Sequence, residues 1–228
     1  MQRELEQRSA ELEATRELLD AFIYSVSHDL RAPLRAALGF SRRLLAQHGA
    51  ALDGEAQELV QRIDQNTRRM QRMLDELLGF ARLGRCAFNA QELCTKDLVR
   101  EVIGELHAQT QDRSVEFLVG DLPDCVADRS LLRELFLILI GNALKFTRPG
   151  PRAQIEVGAA GGRATAYFVK DNGVGFDMQY AERLFGLFQR LHTEQEFEGS
   201  GIGLASARAI VARHGGCLLY TSPSPRDS

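Results

Sequence analysis

Residues 24–40 read YSVSHDLRAPLRAALGF. The stretch is rich in alanine, leucine and arginine, which favour helix. It nevertheless sets a histidine and an acid side by side, His28 and Asp29, with Pro33 five residues after the histidine. The proline removes a backbone donor and crowds the preceding turn, so a bend is expected there. A histidine on such a helix serves packing or solvation as readily as chemistry, and by itself His28 leaves that choice open.

Outward in both directions the pattern stays helical. In MQRELEQRSAELEATRELLD (1–20), Leu5, Leu12 and Leu19 fall seven apart, and Leu18 and Phe22 widen the stripe, the spacing of a short coiled coil. The helix is expected to continue to about Gln47. HGAALDG (48–54) reads as a turn, with Asp53 placed to cap the next helix. There Leu59, Ile63, Asn66, Met70, Met73, Leu77 and Phe80 alternate in steps of four and three, a heptad seam with a single polar residue able to set register. Two long helices and a short turn make an antiparallel hairpin. One hairpin leaves too much apolar stripe uncovered, so two copies are expected to pair into a four-helix bundle.

The 228 residues suffice for one large domain or two modest ones. With 44% hydrophobic and 26% charged residues the composition is that of an ordinary globular protein. A net charge of −3 and scattered arginines argue against a nucleic-acid partner. Cys86, Cys94, Cys125 and Cys217 lack metal-ligand spacing and fit reduced thiols. The longest apolar run, LFLILI (135–140), is too short to span a bilayer, so a soluble cytoplasmic chain without a membrane segment is expected.

After ARLGR (81–85) the periodicity changes. A helix near 95–108 precedes a strand, SVEFLVG (114–120). LPD forms a turn, and Asp128 opens a helix, RSLLRELFLILIGNALKFT, whose apolar run marks it as buried. AQIEVGAA (153–160) and RATAYFVKD (163–171), joined by Gly161-Gly162, read as a β-hairpin. DNGVGFD (171–177), a short helical piece around AERLFGLFQRLH, the polar TEQEFE and GSGIGLASARAIVARHGG follow. This order predicts an α+β arrangement with helices on one face of a sheet.

Gly173 and Gly175 follow a strand and stand between Asp171 and Asp177, while Gly199, Gly201 and Gly203 lead into a helix starting near Ile202. A glycine-rich loop at a helix N-terminus lets backbone amides approach phosphate. GSGIGLA lacks the lysine and Ser/Thr of a P-loop, and no strand runs directly into it as a dinucleotide fold demands. Asn142 and Lys145 lie three apart on one face of the buried helix. The Asn142 amide oxygen suits either one Mg²⁺ position, completed by water and phosphate, or a helix-packing hydrogen bond.

Taken in order, SHDLRAPL, GNALKFT, DNGVGFD, LFGLFQRL and GSGIGLA resemble the H, N, first-glycine, F and second-glycine boxes of sensor histidine kinases, over roughly residues 20–216. The fuller text, FIYSVSHDLRAPLRAALGF and YFVKDNGVGFDMQYAERLFGLFQRLH, is most similar to phytochrome-type and PAS-linked kinase modules. The resemblance implies an α+β chain in which a helical hairpin, forming a dimeric four-helix bundle, precedes an α/β-sandwich ATP-binding domain of the Bergerat fold. It implies a signalling coiled coil over 1–20, the dimerisation and phosphoacceptor domain over 21–84, and the catalytic domain over 85–216. It also implies ATP-dependent autophosphorylation on histidine and transfer to an aspartate of a response-regulator receiver domain. That receiver, and an upstream sensor domain, are expected to lie outside this chain.

Carried over residue by residue, the resemblance makes His28 the phosphoacceptor, with Asp29 fixing its tautomer and taking its proton. Asp171 would accept from the adenine amino group of ATP, Asn142 would ligate Mg²⁺, and Lys145 would lie near the phosphates. Gly173 and Gly175 would hold a lid hinge, Gly199, Gly201 and Gly203 would cradle the triphosphate, and Phe185 and Phe188 would pack the lid. Ile138 stands where the family usually has a second asparagine, which would weaken Mg²⁺–ATP binding or turnover. Ala32 stands where Thr or Asn accompanies phosphatase activity, and it cannot orient a water. After RHGG, CLLYTSPSPRD resembles a reading frame of a sequencing-library adapter, so 217–228 are expected to be a non-native tail and the sheet to lack its last strands. Two alternatives follow from the same residues: a catalytically weak or inactive dimerisation and signalling module, and a gyrase- or chaperone-like ATPase without a phosphoacceptor.

Overall fold

A computed structural model of the chain describes residues 2–84, 86–108, 114–147, 153–161, 166–191 and 197–220. The TEQEFE segment, the turn after Gly161 and the end of the tail lie wholly or partly outside them. The chain divides into two compact units, Met1–Arg85 and Cys86–Ser228.

The first unit is a helical hairpin, α1 (Gln2–His48) and α2 (Gly54–Leu83), joined through a 3-10 turn at Gly49–Ala51. Asp53 caps α2, its Oδ1 accepting from Ala56 N at 2.7 Å. α1 is continuous through Pro33: one N–H is lost, but the rest of the ladder, packed along α2, stays in place.

The face of α2 buried within one chain is not the heptad seam. Val60, Asp64, Thr67 and Leu78, each one residue beyond a seam position, are buried. Leu59, Ile63 and Met70 of the seam are 56%, 53% and 47% exposed. A polar strip fills part of the contact between the helices. Asp64 accepts from Ser41 Oγ at 3.3 Å and from Arg68 Nε at 2.5 Å, with Arg42 Nε 3.6 Å away. The Arg68 hydrogen bond, with help from Ser41 and Arg42, holds the Asp64 carboxyl below the usual range against the opposing effect of burial.

In the second unit a sheet of order β2-β4-β5 combines β2 (Val115–Val119) parallel to β4 (Ala153–Ala160) with β5 (Ala166–Asp171) antiparallel to β4. Ile155 and Val157, two apart on β4, are fully buried on one face, whereas Gln154 between strand start and Ile155 is exposed. α4 (Arg129–Phe146) packs on β4 and β5, and α3 (Thr95–His107) and α5 (Gly203–Arg213) pack against α4. Leu131, Leu132, Leu135, Phe136, Ile140 and Leu144 of α4 are buried, each contributing about 1.5–3 kcal/mol of gross transfer energy. This makes α4 the fixed element on which the site is built.

A second ladder, β1 (Ala90–Leu93) antiparallel to β3 (Cys125–Asp128), adds two strands where the sequence pattern predicts only a turn leading into the helix. Strands of four residues, AQEL and CVAD, are too short to show a period, and their pairing is decided at long range. Asp128 joins these parts. Its Oδ1 accepts from Ser130 N at 3.0 Å and Leu131 N at 3.1 Å, its Oδ2 from Asn89 N at 3.0 Å, and its own N–H donates to His214 Nε2 at 3.1 Å. The Asn89 N–H above all, then those of Leu131 and Ser130 and the nearby His214, hold the carboxyl below its ordinary range despite burial.

Asp128→Ala is expected to lower the unfolding free energy of this unit by about 2–4 kcal/mol, from a lost helix cap and bared backbone donors. The check is the urea midpoint. Because the folded pKa is depressed, this contribution is complete above the ordinary aspartate pKa and is lost as pH falls through the folded value. The variant should therefore lose part of the acid sensitivity of the parent.

Candidate functional site

His28 and Asp29 lie on α1 in the first unit, with side chains 72% and 75% exposed. His28 Nδ1 is 3.2 Å from Asp29 Oδ1. A carboxylate only accepts, so this contact places the proton on Nδ1 and turns the Nε2 lone pair outward. Ser27, one residue earlier, is 1% exposed, so the helix passes from buried to exposed between the two residues. Ala32 is exposed.

In the second unit Asn142, Lys145, Asp171, Gly173 and Gly199 gather at the C-terminal end of α4. Glu134, Ile138, Asn142 and Lys145 share one stripe of that helix, opposite its most deeply buried residues. Asn142 is half-buried, and its side-chain amide makes no hydrogen bond among the described residues. Lys145 Nζ lies 4.2 Å from the centroid of the Phe146 ring, and a Cβ at Gly199 would stand 3.1 Å from it. The Phe146 and Phe197 rings meet at 5.1 Å. Phe146 O accepts from Val174 N at 3.2 Å, bringing the first glycine loop onto the helix end. Gly173 is required there: a Cβ would fall 2.5 Å from Phe146 O and 2.7 Å from Asp171 Oδ1. Gly175 has φ +60°.

Asp171 ends β5, opposite Ile155. Its Oδ1 accepts from Gly173 N at 2.9 Å. Burial pushes the carboxyl above the usual aspartate range, an effect the Gly173 N–H partly offsets. Its second oxygen makes no hydrogen bond among the described residues, leaving an acceptor for a ligand donor.

The F and second-glycine boxes are locked together through backbone. Phe188 N donates to Gly201 O at 3.0 Å, and Phe188 holds φ +61°, a strained conformation for a residue with a side chain. Its ring is 48% exposed, while its main chain makes the contact with Gly201. Phe185 closes the 3-10 helix Met178–Phe185, with the Arg208 guanidinium 5.7 Å from its ring centroid. A Cβ at Gly203 would meet Ile138 Cγ2 at 3.4 Å, an ordinary contact, so Ile138 abuts the start of α5.

Sequence reasoning passed over three residues here. Glu134 is half-buried on the Asn142 stripe and burial raises its carboxyl; a lone acid in LLRELFLILI was the available signal. Phe176 and Tyr220 bring their rings to 5.0 Å, at 61°. Nothing local in the sequence indicated that pairing.

Two family models match the chain: His Kinase A (phospho-acceptor) domain over residues 18–85, and Histidine kinase-, DNA gyrase B-, and HSP90-like ATPase over residues 127–228. The chain is 34% identical to Cyanobacterial phytochrome B of Nostoc sp., covering 96% of this chain and 30% of that protein. It is 32% identical to Methanogenesis regulatory histidine kinase FilI of Methanothrix harundinacea, covering 97% and 26%. It is 30% identical to Adaptive-response sensory kinase SasA of Synechococcus elongatus, covering 96% and 59%. The chain thus spans 26% to 59% of the length of these relatives. Among solved structures, full-length ShkA in complex with AMPPNP aligns with TM-score 0.61 and 25% identity, over 88% of this chain and 43% of that one. Acinetobacter baumannii histidine kinase AdeS aligns with TM-score 0.60 over 86% of this chain and 91% of that one, and at 17% identity shows the shared fold.

Proposed function

Since the chain belongs to the sensor histidine kinases, we propose that it phosphorylates its own His28 from ATP and passes the phosphoryl group to an aspartate on a response-regulator receiver domain. The observation that carries this reading is the convergence of Asn142, Lys145, Asp171 and both glycine loops on the C-terminal end of α4. In the reaction the Nε2 lone pair of His28 forms an N–P bond to the γ-phosphorus as the bond from that phosphorus to the bridging oxygen breaks and ADP leaves. The Nδ1 proton passes towards Asp29. Most of the rate enhancement comes from positioning and charge neutralisation.

Asn142, whose side-chain amide makes no hydrogen bond among the described residues, would hold Mg²⁺ together with phosphate and water, and Lys145 would sit beside the phosphates. The ion neutralises charge developing on the phosphate oxygens. Asp171 would select adenine by accepting from its amino group, and the amides around Gly199, Gly201 and Gly203 would line the triphosphate. Phe185 and Gly175 would bound the segment between the two glycine boxes. Residues 1–20 would serve as signalling coiled coil, 21–84 as dimerisation and phosphoacceptor domain, and 85–216 as catalytic domain, with 217–228 a non-native tail. The His Kinase A domain implies dimerisation, and the exposed Leu59, Ile63 and Met70 offer a second copy its seam. Among the described residues no helix is long and apolar enough to cross a membrane.

The test is incubation with Mg²⁺ and γ-labelled ATP. Label on protein that survives base and is lost in acid supports a phosphoramidate on histidine. Steady ADP release without label favours an ATPase of the gyrase kind, and tight nucleotide binding without either product favours a non-catalytic module, to which the apolar Ile138 lends support.

The raised Asp171 carboxyl adds a pH expectation. An aspartate whose pKa is raised becomes protonated, and a weaker acceptor, as pH falls through that raised value. ATP affinity should then drop about fivefold, the difference between a charge-assisted and a neutral hydrogen bond. The drop should begin at higher pH than an ordinary aspartate would give, and Asp171→Asn should remove it. Titrations at a series of pH values, parent against variant, check this; identical profiles would exclude Asp171 as the titrating group.

A further inference from the structure

Three residues after His28 on α1 stands Arg31, and residues so spaced are neighbours on a helix surface. Its guanidinium is engaged: Arg31 Nη2 donates to Asp75 Oδ1 of α2 at 2.7 Å. The pair is open to water, the arginine side chain 36% exposed and the aspartate 53%, and an ion pair of that kind contributes little to stability. Pro33 has no N–H to give the Asp29 carbonyl, so the helix ladder lacks one bond across the turn that carries Arg31. Arg31 is thus weakly held beside the atom on which the proposed reaction builds a new anion.

We infer that Asp75 and the phosphoryl group on His28 compete for Arg31, which leaves the carboxylate when the phosphoramidate forms. The inference rests on the reading of His28 as phosphoacceptor. Before transfer the attacking imidazole is neutral, and Asp75 is the anion bonded to Arg31. Afterwards about two negative charges stand on the ring. The phosphoryl oxygens then offer the forked guanidinium a two-point contact, where Asp75 takes a single hydrogen bond. The covalent step keeps its balance, since Arg31 neither gains nor loses a proton and only its hydrogen-bond partner changes. By linkage, whatever loosens Arg31 from Asp75 favours phosphorylation, and phosphorylation loosens the α1–α2 contact beside His28.

The test is the equilibrium of label between ATP and protein, with Mg²⁺ at a fixed ratio of ATP to ADP, approached from both directions. A group that only speeds transfer leaves this equilibrium where it was. Asp75→Asn releases Arg31 and is expected to raise the ratio of phosphorylated to unphosphorylated chain about twofold to fivefold. Arg31→Ala is expected to lower that ratio about threefold to tenfold. Loss of a merely structural ion pair would move both variants the same way, so the opposite signs carry the result. Removing the Asp75 charge could also favour the phosphoryl group directly through space, and the double variant separates the two effects. With Arg31→Ala in place, Asp75→Asn should change nothing further. Shifts in one direction, no shift in either variant, or an Asp75→Asn effect that persists without Arg31 overturn the competition and leave the phosphoacceptor reading standing. A parent that binds ATP but takes up no acid-labile label overturns that reading and the competition with it.

Discussion

Replacing His28 by glutamine is expected to abolish acid-labile, base-stable labelling from γ-labelled ATP while leaving ATP affinity unchanged. Glutamine is a good helix former, and the site is exposed, so stability should move by less than about 0.5 kcal/mol. What the amide lacks is a nucleophilic nitrogen lone pair, because its nitrogen electrons are delocalised into the carbonyl. Asp29→Asn gives the graded case. The imidazole remains, but its neighbour no longer carries the negative charge that keeps the proton on Nδ1 and receives it during transfer. Labelling should slow about 10²-fold, the lower end of what a positioned base contributes. Undiminished acid-labile label in His28→Gln would move the phosphoacceptor elsewhere.

Gly201→Ala is expected to weaken ATP binding at least about tenfold, and labelling with it. Gly201 has φ +77°, and an added Cβ would stand 2.7 Å from Gln189 O and 2.8 Å from the carbonyl carbon of Phe188. Both neighbours are backbone and cannot rotate away. Relief has to come from moving the loop, which breaks the Phe188 N–H to Gly201 O hydrogen bond and spreads the amides offered to phosphate. Gly203→Ala is the control from the same motif. Its Cβ would meet only Ile138 Cγ2 at 3.4 Å, an ordinary contact, so binding should stay within about threefold. Calorimetry on the two variants distinguishes a loop that needs glycine for its backbone from one that only needs small residues. Equal losses in both would count against the backbone argument.

The contrast between those glycines shows where sequence reading stops. GSGIGLA spaces three glycines evenly, and nothing in the string says that the middle one is pressed against Gln189 while the last touches a side chain. Phe188 is similar. Nothing in LFGLFQRL signals that its backbone holds a positive φ or that its amide donates to Gly201 O. β1 and β3 escaped notice for another reason: each is four residues long and pairs only through a partner more than thirty residues away in the chain.

Periodicity and box order were enough to establish the helical hairpin, the α+β unit behind it and the histidine-aspartate pair. These features depend on local spacing, which a chain carries wherever it folds: steps of three and four for helix, alternation for strand, neighbours for His28 and Asp29. Which stripe of α2 faces α1 was decided by tertiary packing, through Asp64, Ser41 and Arg68, one residue round from the seam that the sequence displays. The same holds for the closure of the glycine loops onto Phe146 and for the ring of Tyr220 on Phe176. Those contacts join residues tens of positions apart, and close packing of a particular core, rather than any local preference, determines which of them meet.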